Sequence, residues 1–156
     1  MPKLKTPYPL PDPAMQALPP AILAAAAVAA LRRVYAIELD YTPASLERLE
    51  QVARGQFRLG QYRPESYPAT LALAIGTYIA EMLRRQIESA RWGEADEDLY
   101  GTPLPFLVFS RSEYERQVNV VEDLMTYLWT GTGPSLPEYY TLQLDDFRRL
   151  GFAISE

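Results

Sequence analysis

PATLALAIGTYIAEMLRRQIESARW, residues 68–92, carries the strongest periodic signal in the chain and decides its fold class. Leu71, Ile75, Tyr78 and Met82, with Ile79 and Leu83 beside them, recur at three- and four-residue intervals. Such spacing predicts a helix that buries one stripe. Gly76 lies inside it at a cost of about 1 kcal/mol relative to alanine, so a second element is expected to pass close by. Arg84, Arg85 and Arg91 load the C-terminal half with positive charge, which suits the negative end of the helix dipole.

Upstream, two further helices are expected. Residues 20–38 are rich in alanine, with Ile22, Leu23, Leu31, Val34 and Tyr35 as larger anchors, and Pro19-Pro20 opens them. The apolar run 21–31 has the look of a signal-peptide core. It follows a long proline-rich leader and is too short for a bilayer, so it reads as a core helix. At Tyr41-Thr42-Pro43 the N-cap and first helical position of the next helix are predicted, with Leu46, Leu49 and Val52 on its inner face and a stop near Gly55. Residues 56–68, punctuated by Gly60, Pro64 and Pro68, read as a loop.

Downstream the pattern changes. Gly93-Glu94-Ala95-Asp96-Glu97-Asp98 is an acidic turn, and 104–109 is a short apolar run that predicts a strand buried on both faces. The residues around Trp92 are expected to be its partner. Residues 112–130 then read as a helix capped by Ser112, with Tyr114, Val118, Val121, Met125 and Leu128 as its stripe and Gly131 as its end. A short helix around 145–150 closes the chain.

Seven of the 14 prolines fall in residues 1–20, which excludes a regular helix or central strand there. The expected organisation is therefore a proline-rich arm, 1–19, and one α+β domain, 20–156. That domain is mainly helical, with a small two- or three-stranded antiparallel sheet. Eleven tyrosines, five phenylalanines and two tryptophans supply the large pieces of its core.

The chain has no cysteine and no histidine. Thiolate nucleophiles, disulfides and iron–sulfur ligation are thereby excluded, as are Ser–His–Asp and Cys–His catalysis. Zinc loses its commonest ligand. No cofactor, metal or catalytic residue is expected. The formal net charge of −5 disfavours nucleic acid, which is bound by clustered Lys and Arg, and suits a basic protein partner. The lack of cysteine fits a reducing cytoplasm, and no membrane association is expected.

Two sets of candidate residues follow. Glu81, beside the apolar stripe, could act as an acid or base if burial raised its pKa, with Tyr78 and Arg84 completing a small-ligand or enzyme site. Its alternative role is an ion pair with Arg84 or Arg85, three and four positions on. Glu94, Asp96, Glu97 and Asp98 offer oxygens but lack the alternation of a calcium loop, so a solvated turn is expected. Asp96, Asp98 and Glu94 join Tyr139 and Tyr140 as interface candidates, tyrosines being enriched at interfaces. Gly131-Thr132-Gly133 lacks the lysine and preceding strand of a phosphate loop.

Leu39-Asp40-Tyr41-Thr42-Pro43-Ala44-Ser45-Leu46 and the stretch from Gly76 through Tyr78, Glu81 and Leu83 to Arg84-Arg85, with Trp92 and Pro103-Leu104-Pro105 after it, form a recognisable series. It resembles a bacterial domain-of-unknown-function family with an LDYSPESL-like start and a GxYxGExLRR-like helix, followed by a tryptophan and a PL-containing strand. Ala80 stands where that pattern has glycine. The resemblance spans about two-thirds of the chain. It implies an α+β domain and no assigned activity. The function expected from all this is a non-catalytic protein-interaction domain, one concrete form being an immunity or antitoxin-like protein that masks a basic partner.

Overall fold

Helix α4 (Ala69–Gln86) is the centre of the packing. The computed structural model describes residues 6–155. In chain order the described elements are α1 (Pro13–Gln16), α2 (Pro20–Tyr35), α3 (Pro43–Gln56), α4, β1 (Ala90–Trp92), a 3-10 turn at Ala95–Glu97, β2 (Leu107–Arg111), β3 (Tyr114–Val118), α5 (Val120–Thr130) and α6 (Leu136–Arg149). This is a mainly helical α+β domain with a three-stranded antiparallel sheet in the order β1-β2-β3.

Helices α2 and α5 provide most of the packing against α4, with smaller contributions from α6 and β1, while α3 packs chiefly against α6 and β2 against its neighbouring strands. The expected single stripe is consequently too narrow. All twelve residues from Ala72 to Leu83 are buried, Glu81 and Thr77 included. Gly76 marks the closest approach: a Cβ built there would lie 3.0 Å from the Val121 Cα of α5. The helix stops at Gln86 rather than continuing towards Trp92, because Ile87 bridges to Ile154 and Ser89 adopts φ 64, turning the chain into β1.

Strand β1 pairs with β2 through Arg91↔Val108, as the sequence predicts for the residues around Trp92. β2 begins later than expected, at Leu107, and its Leu107, Val108 and Phe109 are buried on both faces. The segment 112–118 departs from expectation altogether. It is no helix but the turn and second strand of a β2–β3 hairpin, with Arg111↔Tyr114 closing a two-residue turn in which Ser112 has φ 54. Ser112 therefore caps nothing, and α5 starts at Val120, with Asn119 at its N-cap position. Tyr114 and Val118, four apart, satisfy a helical stripe and a strand face equally, and pairing with β2 decides between them.

The end of the chain also corrects the reading. α6 is a full helix of 14 residues, opened by Ser135, whose side chain accepts from the Glu138 N–H, and by Pro137 in its first turn. The arm holds one helical turn, α1, capped by Asp12. Ahead of it Tyr8 is 3% exposed, with its ring 5.3 Å from Tyr67 and 6.3 Å from Trp129. Residues 1–5 of the expected arm lie outside the described residues. No helix of the described residues is long and apolar enough to cross a membrane.

Candidate functional site

Glu81 is held in α4 by a complete set of donors. Arg84 Nε and a terminal nitrogen reach its two oxygens at 2.6 and 3.1 Å, and the indole N–H of Trp92 donates at 2.7 Å. Arg85 lies 3.7 Å from the second oxygen, and its guanidinium stacks 3.7 Å from the centre of the Tyr41 ring. The residue is 4% exposed. Burial by itself would raise its pKa, but the Arg84 and Trp92 hydrogen bonds and the two arginine charges outweigh it, so the carboxyl lies below its ordinary value. The shift has the opposite sign to that of a general acid.

Tyr78 is equally occupied. Ser45 gives its single proton to the Thr42 carbonyl at 2.7 Å, so the Tyr78 hydroxyl donates to Ser45 at 2.7 Å and accepts the Tyr41 N–H at 2.8 Å. Burial raises its pKa and keeps it neutral. The structure thus brings Glu81, Tyr78 and Arg84 into one neighbourhood, but as a brace joining α4 to β1 and to the start of α3. Neither of the two principal cavities is lined by any of the three.

The acidic turn is built as a rigid loop. Glu94 and Glu97 form a reciprocal capping box around the 3-10 turn, and Glu97 is clamped by both terminal nitrogens of Arg91. That guanidinium, with the Glu94 N–H, takes the Glu97 carboxyl down to about 2. Asp98 accepts from the Tyr100 and Gly101 N–H groups at 3.2 and 3.1 Å and from the Gln117 side chain at 2.9 Å. Gln117 also accepts the Leu99 N–H at 2.8 Å, so one amide of β3 grips both sides of the bend. Partial burial opposes ionisation of Asp98, and its donors, Gln117 foremost, more than compensate.

Two large residues stand out from this loop, Leu99 at 69% and Tyr100 at 59% exposed. Glu94 and Asp96 are exposed beside them. Among the described residues no group of three or more carboxylates is spaced to hold a metal ion. Of the interface candidates, Glu94 and Asp96 point outward, while Asp98 is half-buried and committed to the loop itself.

Tyr139 and Tyr140 diverge, as neighbours about 100° apart on a helix must. Tyr140 is 3% exposed and belongs to the core, which removes it as an interface residue. Tyr139 lines a groove of about 440 Å³ between α5 and the start of α6, floored by Ile79. There its hydroxyl donates to Asp123 at 2.7 Å. Burial pushes the Tyr139 hydroxyl well up, and the Asp123 charge adds to this. Asp123 is open to solvent at the mouth, yet the surrounding protein raises its pKa and Glu122 adds to the shift, while the Tyr139 bond opposes it.

Sequence reading missed Leu99, Tyr100, Gln117 and Asp123. An apolar pair directly after four acids and before a glycine is a legible signal for the first two. Nothing in sequence singles out Asp123, which looks like any acid in a first helical turn. No family model, curated protein or solved structure matches the chain.

Proposed function

We propose that this chain is a non-catalytic protein-interaction domain of the bacterial cytoplasm, of the immunity or antitoxin type, that engages a basic partner through the loop 94–101. The observation that carries the reading is the exposure of Leu99 and Tyr100 on a loop whose backbone is already clamped by Gln117, Asp98 and the capping box. A pre-organised loop loses little conformational freedom on binding, so the contacts of its exposed side chains convert more fully into affinity. An aromatic and an aliphatic residue ringed by carboxylates fit the usual division into an apolar anchor and a charged rim. The exposed charges of Glu94 and Asp96, within a chain of net charge −5, would steer a cationic partner and make capture salt-sensitive. The absence of cysteine supports a reducing compartment.

The test is affinity capture with the wild-type chain and a Leu99→Ser/Tyr100→Ser variant in parallel. Wild type should retain one near-stoichiometric protein that elutes as salt is raised. The variant should lose it while melting at an unchanged temperature, since both side chains are exposed. A variant that retains the same protein with the same salt dependence overturns the reading, as does a wild type that retains none.

A further inference from the structure

The groove between α5 and α6 is not used by the proposed interface, and its make-up is specific. Ile79, Leu124 and Leu136 give it apolar walls, while Asp123, Tyr139 and Thr132 stand among its polar groups. At about 440 Å³ it is within the usual size of a small-molecule site. Among the described residues lining it, Asp123 is the only charged one.

The charges around Asp123 make this a site for a cation. Glu122 adjoins it on α5, and Arg116, whose charge acts on Tyr139, is turned towards Asp146 at 4.0 Å and the Phe147 ring at 5.1 Å. The N-terminus of α5 supplies roughly half a positive charge, which two carboxylates exceed. One Asp123 oxygen accepts the Tyr139 proton, and the other has no hydrogen-bond donor among the described residues. Tyr139 therefore orients the carboxylate of this groove-lining residue and leaves its second oxygen without a protein donor among the described residues.

We propose that this groove binds a small organic primary amine with an apolar body. Its ammonium sits on the free Asp123 oxygen and its apolar part lies against Ile79, Leu124 and Leu136. A primary ammonium brings three donors, and the groove offers acceptors, Asp123 and the Thr132 hydroxyl, with no cation among the described residues that line it. This site goes beyond the protein-interaction reading and does not depend on it.

The experiment is an amide-resolved NMR titration at pH 7 with 2-phenylethylamine, 2-phenylethanol and phenylacetate, which share a ring and differ in charge. The amine should bind with a Kd on the order of 1 mM and shift the amides of Thr130, Thr132 and Tyr139. The alcohol should bind roughly tenfold more weakly and the carboxylate not at all. Asp123→Asn should reduce amine binding to the level of the alcohol, leave the alcohol unchanged, and melt no lower than wild type. Should that variant fail to fold, Thr132→Lys, on an exposed residue, must abolish amine binding without changing the melting temperature. Equal binding of the three probes, no binding of the amine, or amine binding that survives these variants overturns the proposal. An N-acetyl-lysine amide that binds as tightly as 2-phenylethylamine also overturns it, assigning the groove to a lysine of a protein partner. The Leu99→Ser/Tyr100→Ser variant should bind the amine as wild type does, which separates this site from the interface.

Discussion

Glu81 and Asp123 are two carboxylates whose surroundings push them in opposite directions. Glu81, lowered by Arg84 and Trp92 against its burial, favours folding when ionised. Its contribution is complete above the ordinary value of 4.5 and is lost as pH falls through the lower folded value. Glu81→Gln should cost about 1–3 kcal/mol at pH 7, a range discounted because Arg84 is more than a third exposed. The difference from wild type should shrink towards acid, as urea unfolding at pH 7 and pH 4 would read. An equal deficit at both values would rule out the charge as its origin. The pairing of Glu81 with Arg84 and Arg85 was legible, because spacings of three and four are set by the helix itself. Trp92 as the third donor was not, since only the turn at 87–89 brings it back onto α4.

At the scale of elements, the contact of α4 with α5 is set by a missing side chain. Gly76→Ala would gain about 1 kcal/mol of helix propensity. Its Cβ would meet the Val121 Cα at 3.0 Å and the Leu124 and Val121 side chains at 3.3 Å. A backbone atom of a packed helix does not yield cheaply, so the net effect should be a loss of about 1–3 kcal/mol. Thermal unfolding would read it, and a stabilised variant would show that α5 can move away. The close approach was legible from a glycine in a strong helical pattern. The β2–β3 hairpin was not. Tyr114-Glu115-Arg116-Gln117-Val118 contains two apolar residues four apart, and the middle residue of their strand face is Arg116, which covers the Phe147 ring of α6. Local periodicity cannot tell an arginine that packs on an aromatic ring from one in water.

Across the whole molecule, the arm is tied to the domain by Tyr8. Its ring stacks on Tyr67 and tilts against Trp129, and its hydroxyl lies 3.4 Å from that of Thr126. Tyr8→Ala should cost about 2–4 kcal/mol through lost ring contacts and the cavity left behind. The denaturant midpoint would fall with an unchanged slope. An unaltered midpoint would mean that the aromatic cluster closes without the arm.

By itself the sequence determined the chemistry that the chain lacks, the helix openings at Pro20 and Pro43, the helix end at Gly131, and the central place of residues 69–86. All of these act through atoms within about four residues: a proline ring in a first turn, a glycine free to reach φ 68, an apolar stripe. Tertiary structure alone decided that 112–118 is a strand, that α4 is buried on every side, that Tyr140 faces inward while Tyr139 lines a groove, and that Gln117 clamps Leu99. Each of these rests on a contact between segments distant along the chain. Its energy is set by which surface arrives there, and no local pattern of residues encodes that.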